Sequence, residues 1–553
     1  MKFNHIGLSI STLLVTNLVS FQSCFAQQHL DLLKRPKEIE LLEGIGNLHH
    51  PVTTQNGEAQ KYFDQGLTLT YAFNHDAAFK SFQKAAKLDP KMAMAYWGMA
   101  LTLGSNINIP VNAAKEKEAF GYIQKAIQLM PQATDNEQAY INALSKRYSD
   151  DPNFDEKKLD IEYNKAMKEA VNKYPDDLDL ATLYAESGLD LSPWGQWTSE
   201  GKPLPGTMEL VAILESVILR DPNHLGANHY YVHTVEASDH PQWALSSAKK
   251  LPQLAPSLGH IVHMPSHIYI LLGDYDKAAK VNERAIEADK AYVKEYGVEE
   301  VYPGHYLSHN LGFLSRAYAM AGNYKGAKKA GDELANFYTP FFDRMPDLEY
   351  YYSVPTFVFL RFHKWKDIID LPPPPNPKMA VSSTVWHFAR AYAYASLGDI
   401  QHAEEEQKLF LKDWKQLPAD SKFGSNSTDK IFKISDDYLN AKLADKKGEL
   451  KSEIQYLRDA ITVQDSLKYS EPPDWFYPIR ESLGGALYRD KQYDAAEKEF
   501  RMDLNKHPRN GRSLFGLLET LKAQTRTSDA YWVEKQYQTA WKNADTELNI
   551  QDL

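Results

Sequence analysis

Apolar and small residues along this chain fall at helical steps, in segments where Ala recurs at regular intervals and polar breaks such as Gly-Asp-Tyr or Asp-Pro intervene. No clean two-residue alternation competes with this pattern, so the predicted fold class is all-α. Gly66, Ala78, Phe82, Ala85 and Pro90 mark one pair of predicted helices, and Gly484, Ala496, Phe500 and Pro508 repeat the same offsets near the other end, with Tyr493 in the turn between helices. Leu272-Gly273-Asp274-Tyr275, Ala321-Gly322-Asn323-Tyr324 and Leu397-Gly398-Asp399-Ile400 predict three further turns between antiparallel helices.

These offsets resemble the tetratricopeptide repeat, a unit of about 34 residues in which two antiparallel helices meet at small residues and a Pro ends the second. The resemblance covers most of the chain from about Gln60 onward and is specific at some five units. It implies a right-handed superhelical α-solenoid with a concave groove, and the role usual for large bacterial repeat proteins, a binding scaffold. Two segments interrupt the array. Leu191 to Gly206, rich in Trp, Pro and Gly, is too long for a simple turn, and Leu371-Pro372-Pro373-Pro374-Pro375-Asn376-Pro377 reads as a stiff connector. The expected organisation is a signal peptide over 1–26, a lead segment over 27–59, a solenoid with a His-rich groove over 60–370, the connector over 371–380 and a second array over 381–553.

Composition narrows the function. A hydrophobic fraction of 43% with 24% charged residues is that of a folded protein, and the net charge of −11 argues against nucleic acid as a partner. Lys2, an apolar run from Ile6 to Val19 and the exit Cys24-Phe25-Ala26 read as an export signal, too short to span a membrane. The protein is expected to be periplasmic or secreted, cleaved after Ala26, with a lipid anchor on Cys24 as the alternative. Cys24 is the only cysteine, so no disulfide forms within the chain.

Nine of the 18 histidines lie between His224 and His309, where even scatter would place about three. His229 and His233, His263 and His267, and His305 and His309 are each four apart, which sets both rings of a pair on one face of a helix. The repeat register implied by Gly273, Ala244 and Gly322 turns His229, His233, Glu236, His260, His263, His267, His305 and His309 toward the groove. Imidazoles on neighbouring helices, with an optional carboxylate, suit a transition metal, Zn, Cu, Fe or Ni, with Zn or Cu foremost. Two pairs, His229/His233 and His263/His267, are expected to supply four nitrogens, with the other four residues as a second site or as supporting partners. Without a metal, the same rings would hydrogen-bond to Tyr230, Tyr231, Tyr269 or Tyr306. Trp194, Trp197 and Tyr230 are the candidate ligand-contacting residues, while Glu299, Glu300, Asp347 and Glu349 read as solvated carboxylates. Motifs of nucleotide-binding loops, serine hydrolases and zincins are absent. Two functions follow: a scaffold that takes a protein or peptide segment in its groove through a His-lined metal or ligand site, or a metalloenzyme built on that poly-His site.

Overall fold

The computed structural model describes residues 39–108, 113–151, 153–296 and 302–553. The leader, its cleavage point at Ala26 and Cys24 lie outside the described residues, as do Glu299 and Glu300. Antiparallel helix pairs follow one another along the described chain, beginning with Gly57–Tyr71 and His75–Leu88. Among the described residues, strand pairing is confined to a small hairpin, Lys422–Phe423 against Asn426–Ser427, and an isolated bridge between Trp197 and Pro203.

The repeat offsets have a steric cause. Phe82 is fully buried, and its ring lies where Cβ atoms on Gly66 and Gly98 would come within 2.7 and 2.5 Å. At the far end Phe500 sits against Gly484 and Gly516 in the same way, with would-be approaches of 2.5 and 2.2 Å. One large ring held between two glycines on flanking helices lets the helix axes approach closely, while Ala78, Ala85 and Ala496 fill the rest of the seam. Turns between helices share a second device. Gly273, Gly322 and Gly398 take left-handed φ of +74°, +77° and +85°, and the amide of the residue after each glycine bonds back five residues, as in Asp274 to the Tyr269 carbonyl at 2.7 Å. Phe73, His363, Lys491 and Thr525 occupy the same conformation without being glycine, and the same back-bonds follow them.

The apolar core forms two bodies, one built from residues before about Tyr306 and one from residues after about Tyr269. The helices Gly259–His263, Pro265–Leu271 and Tyr275–Tyr296 stand where the two meet. The proline-rich segment 371–379 is irregular chain, anchored by the Trp386 indole donating to the Leu371 carbonyl at 3.0 Å, and the second core body runs on across it from Phe357 to Phe388. Two excursions from the helix pairs meet the residues at the seam. The 191–206 loop is pinned by the Trp197 indole donating to the Thr234 carbonyl at 2.6 Å. Residues 466–479, between Leu450–Asp465 and Arg480–Arg489, lie across the histidines.

Candidate metal centre

The helix Leu225–Val235 is buried along its whole length and carries His229 and His233, with Glu236 as the residue that ends it. The sequence predicts one continuous helix for His260 to His267. The structure instead breaks it at Met264, because Pro265 has no amide hydrogen to continue the ladder, leaving Gly259–His263 and Pro265–Leu271. His305 lies in a π-turn, Pro303–Leu307, and His309 in the helix Ser308–Met320 that follows. A π-turn inside a helix is a conformation that gathers at functional sites.

These elements bring the rings into one enclosed cluster. Nε2 of His229 lies 3.0 Å from Nε2 of His260, and Nε2 of His263 lies 2.7 Å from Nε2 of His267. Ring centroids of His233 and His267 are 5.4 Å apart, and those of His263 and His309 4.8 Å. Three donor sets result: His229, His233 and His260; His263, His267 and His309; and His233, Glu236, His267 and Glu471, each with its ligand atoms within 4.8 Å of one another. His233 and His267 are shared between sets, so the sets are contiguous. Each expected pair stays together in its own set, His229 and His233 joined by His260, and His263 and His267 joined by His309, while one residue from each pair meets Glu236 and Glu471 in the third.

The outer nitrogen of several rings is already committed. Nδ1 of His229 donates to the Tyr71 carbonyl at 2.6 Å. Nδ1 of His263 donates to Oδ1 of Asn282 at 2.6 Å, an amide whose own nitrogen donates to the Ala278 carbonyl and so fixes its orientation. Nδ1 of His233 donates to Oε1 of Glu236 at 2.7 Å. Because these oxygens accept, the three rings keep an Nε2 lone pair facing inward; those of His229 and His263 lie within hydrogen-bond distance of His260 and His267, while Nε2 of His233 is buried with no hydrogen-bond partner. An oxygen behind each ring and a lone pair ahead is how metal-ligating imidazoles are oriented. The tyrosine partners expected of a metal-free groove are not used. The Tyr231 hydroxyl donates to Glu215, Tyr306 accepts from Asn108, and Tyr230 is packed into the core against Tyr71 and Phe73.

Electrostatics divides the histidines in two. Burial, with repulsion from neighbouring imidazoles, holds His229, His260, His263 and His309 well below the usual histidine range. His233 is pushed down to about 3 and His305 to about 4, both mainly by burial. His267 is the exception. Burial opposes its charge, yet the carboxylates of Glu471 and Glu236 raise it to about 10. Its Nδ1 is 2.6 Å from Glu236 Oε2 and 2.7 Å from Glu471 Oε2, while neither contact has hydrogen-bond geometry. Three donor atoms thus crowd together without pointing at one another, and without a metal a protonated His267 faces both carboxylates and offsets the charge of one. Burial, with the nearby Glu236, raises Glu471 to about 7, and its Oε1 accepts from the Tyr469 hydroxyl.

A cavity of about 290 Å³ opens beside the cluster, lined by His233, His260, His267, His305, His309 and Glu471 among others. Trp194, held at φ +60°, lines it and meets His233 edge-on at 5.5 Å. His305 reaches the cavity but joins none of the three sets, and Trp197 serves the loop's anchorage and lies outside this cavity. Asp347 lines the cavity. Glu349, read from the sequence as solvated, is buried and accepts from the Ser382 amide at 2.6 Å, where an apolar surround demands a partner. Glu471, Asn282 and Tyr469 were not legible. Glu471 sits in the aperiodic stretch Ser470-Glu471-Pro472-Pro473-Asp474, where no face can be read, and Asn282 is one polar residue in a long amphipathic helix.

The family model described as Tetratricopeptide repeat matches residues 263–292, the stretch that carries His263, His267 and Asn282. No curated protein matches the sequence. Among solved structures, human IFIT1 in its dimer with m7Gppp-AAAA is similar at 12% identity over 93% of both chains, with a TM-score of 0.34. Cut9 with Hcn1 of the APC/C is similar at 13% identity, over 89% of this chain and 76% of that one, with a TM-score of 0.29. Yeast Tom70 is similar at 12% identity, over 87% and 90%, with a TM-score of 0.27.

Proposed function

From a helical-repeat chain of tetratricopeptide type whose matched unit carries two of the clustered histidines, we propose a metalloprotein that holds transition metal, zinc or copper, on His229, His233, His260, His263, His267 and His309 with Glu236 and Glu471. The observation that carries this reading is the set of three rings whose Nδ1–H is committed to an oxygen while Nε2 faces a shared buried space. Mature protein without thiolates leaves imidazole and carboxylate as donors, the set that suits zinc and copper. Bound there, the metal would supply Lewis-acid or redox chemistry to a small molecule in the adjoining cavity. The chain's own residues orient the rings, exclude bulk water and keep most imidazoles neutral. Export through the N-terminal leader belongs to the same reading.

The repeat fold is that of a protein-interaction scaffold, and a groove-bound partner segment is the competing role. The enclosed face favours a small molecule, since residues 466–479 of the chain itself occupy the side of the groove that bears the histidines. Protein purified without a His tag or chelator is expected to contain at least one zinc or copper per chain by plasma mass spectrometry. Replacing His263 and His267 together by Ala is expected to abolish that content with helix content nearly unchanged. Wild-type protein that takes up neither metal at neutral pH would refute the reading.

A further inference from the structure

A second, larger cavity of about 800 Å³ adjoins the imidazole cluster and shares Trp194, Ser425, Ser470 and Asp474 with it as common wall. Arg316 lines this cavity from the helix Ser308–Met320 and is only 2% exposed. Its Nε and Nη1 are buried with no hydrogen-bond partner, and one face of the guanidinium is covered by the Phe476 ring at 5.5 Å. Neighbouring carboxylates are committed elsewhere. Glu481 takes Arg361 at 3.2 Å, Arg512 at 2.8 Å and Asn510 at 2.7 Å. Asp503 takes His507 at 2.7 Å, Asn510 at 2.6 Å and Ser513 at 2.5 Å. Arg361 is near as well, so Arg316 also feels a like charge. Two more donors among the residues lining this cavity, the Tyr275 hydroxyl and the Trp475 indole nitrogen, are buried and unpartnered.

A buried guanidinium without a counterion of its own is costly, and three side chains with unused donors lining one cavity call for an anion that accepts from them. We propose that this cavity binds an organic monocarboxylate, its carboxylate held by Arg316 with Tyr275 and Trp475 and its apolar body lying along Ile270, Met320 and Trp194. The planar fork of arginine matches a carboxylate in two-point contact. Asp465, Asp474 and Asp503 line the same cavity and oppose a dianion, so phosphate fits less well. This site stands on Arg316 and not on metal occupancy, although the shared wall would bring the far end of a bound molecule toward the imidazole centre.

Titration of the full-length protein at pH 7 with acetate, hexanoate and phenylacetate, followed by tryptophan fluorescence and calorimetry, tests this directly. Hexanoate or phenylacetate is expected to bind at one saturable site, about tenfold or more tighter than hexanol or 2-phenylethanol. Arg316→Gln is expected to lose about tenfold or more in affinity, and Tyr275→Phe a smaller but measurable amount. Saturable binding of none of the three carboxylates, tighter binding of inorganic phosphate, or unchanged affinity in a folded R316Q would overturn the proposal. Should R316Q fail to fold, unchanged affinity in Y275F does so. Metal content measured on the same samples separates the two sites: metal-free protein that binds phenylacetate sinks the centre alone, and metal-loaded protein that binds no carboxylate sinks this cavity alone.

Discussion

A buried imidazole whose Nδ1–H is already spent on an oxygen can only accept at Nε2, and His229, His233 and His263 are all so placed. Their protonation carries a signed prediction. Histidines depressed in the fold bind protons in the unfolded chain first, so metal-free protein loses stability as pH falls below about 6.5. For His233 and His305 the loss continues down to their folded values of about 3 and about 4. Each such ring contributes about 1.4 kcal/mol per pH unit within its window. His267, raised to about 10, acts with the opposite sign: its contribution is fully present below about 6.5 and fades as pH rises toward 10. Urea midpoints of metal-stripped protein at pH 7 and pH 5 check the first statement, and equal midpoints would contradict it. Glu471→Gln removes the larger of the two charges that hold His267, so its NMR titration is expected to move to lower pH. Seven of the eight metal candidates read from helical spacing and repeat register fall in the donor sets, and His305 does not, since a three- or four-residue step fixes a shared face but not the reach of each ring. Tyr230 was not legible, because a tyrosine on a buried helix packs as readily into the core as into a site, and Glu471 has no period to place it.

At the scale of the helix pair, two glycines flanking one phenylalanine set how closely neighbouring helices approach. Gly98→Ala forces a methyl into the Phe82 ring and is expected to cost about 1–3 kcal/mol. Gly121→Ala, in an exposed helix position where a Cβ meets nothing within 4 Å, is expected to gain about 0.5–1 kcal/mol. Chemical denaturation of both variants tests the contrast, and like signs would disprove the steric account. Turns at Gly273, Gly322 and Gly398 were legible because glycine advertises a left-handed residue. The equivalent turns at Phe73, His363, Lys491 and Thr525 were hidden, as the back-bond and packing hold an ordinary residue in a conformation it disfavours by about 1–2 kcal/mol. Lys491→Gly, on an exposed turn, is accordingly expected to stabilise the protein by about 0.5 kcal/mol after the entropy of glycine is charged against it.

Across the whole molecule the array does not extend as an open ribbon. Arg509 pairs with Asp274, Asn543 donates to Asp276 at 2.7 Å, and Asp545 accepts from the Tyr324 and Lys325 amides at 2.6 and 3.1 Å. The C-terminal helices therefore rest on the middle hairpins, and Arg361 joins them through Glu481 inside the core. An open repeat array unfolds piecewise, because each unit touches only its neighbours. Closure predicts coupling: urea transitions followed by far-UV circular dichroism and by tryptophan fluorescence are expected to coincide, while separated transitions would show the two core bodies to be independent. Repeat offsets made the helical hairpins legible. The closure was not, since it depends on surface pairs such as Asn543 and Asp276 whose side chains carry no pattern.

Because the stretch that carries Glu471 must cross over to meet His267, the set of His233, Glu236, His267 and Glu471 is complete only once the late-synthesised part of the chain has docked on the earlier part. Helices form in about a microsecond, whereas docking of distant parts takes milliseconds or longer. Nascent or half-assembled chains would therefore lack the mixed histidine and carboxylate set, although both all-histidine sets lie within residues 229–309, and the tightest ion retention would act as a clock that strikes only on completed assembly. In refolding from urea, recovery of ellipticity is expected to precede uptake of zinc or copper in tight form, and simultaneous recovery of both would show that the histidine helices gather the ion without Glu471.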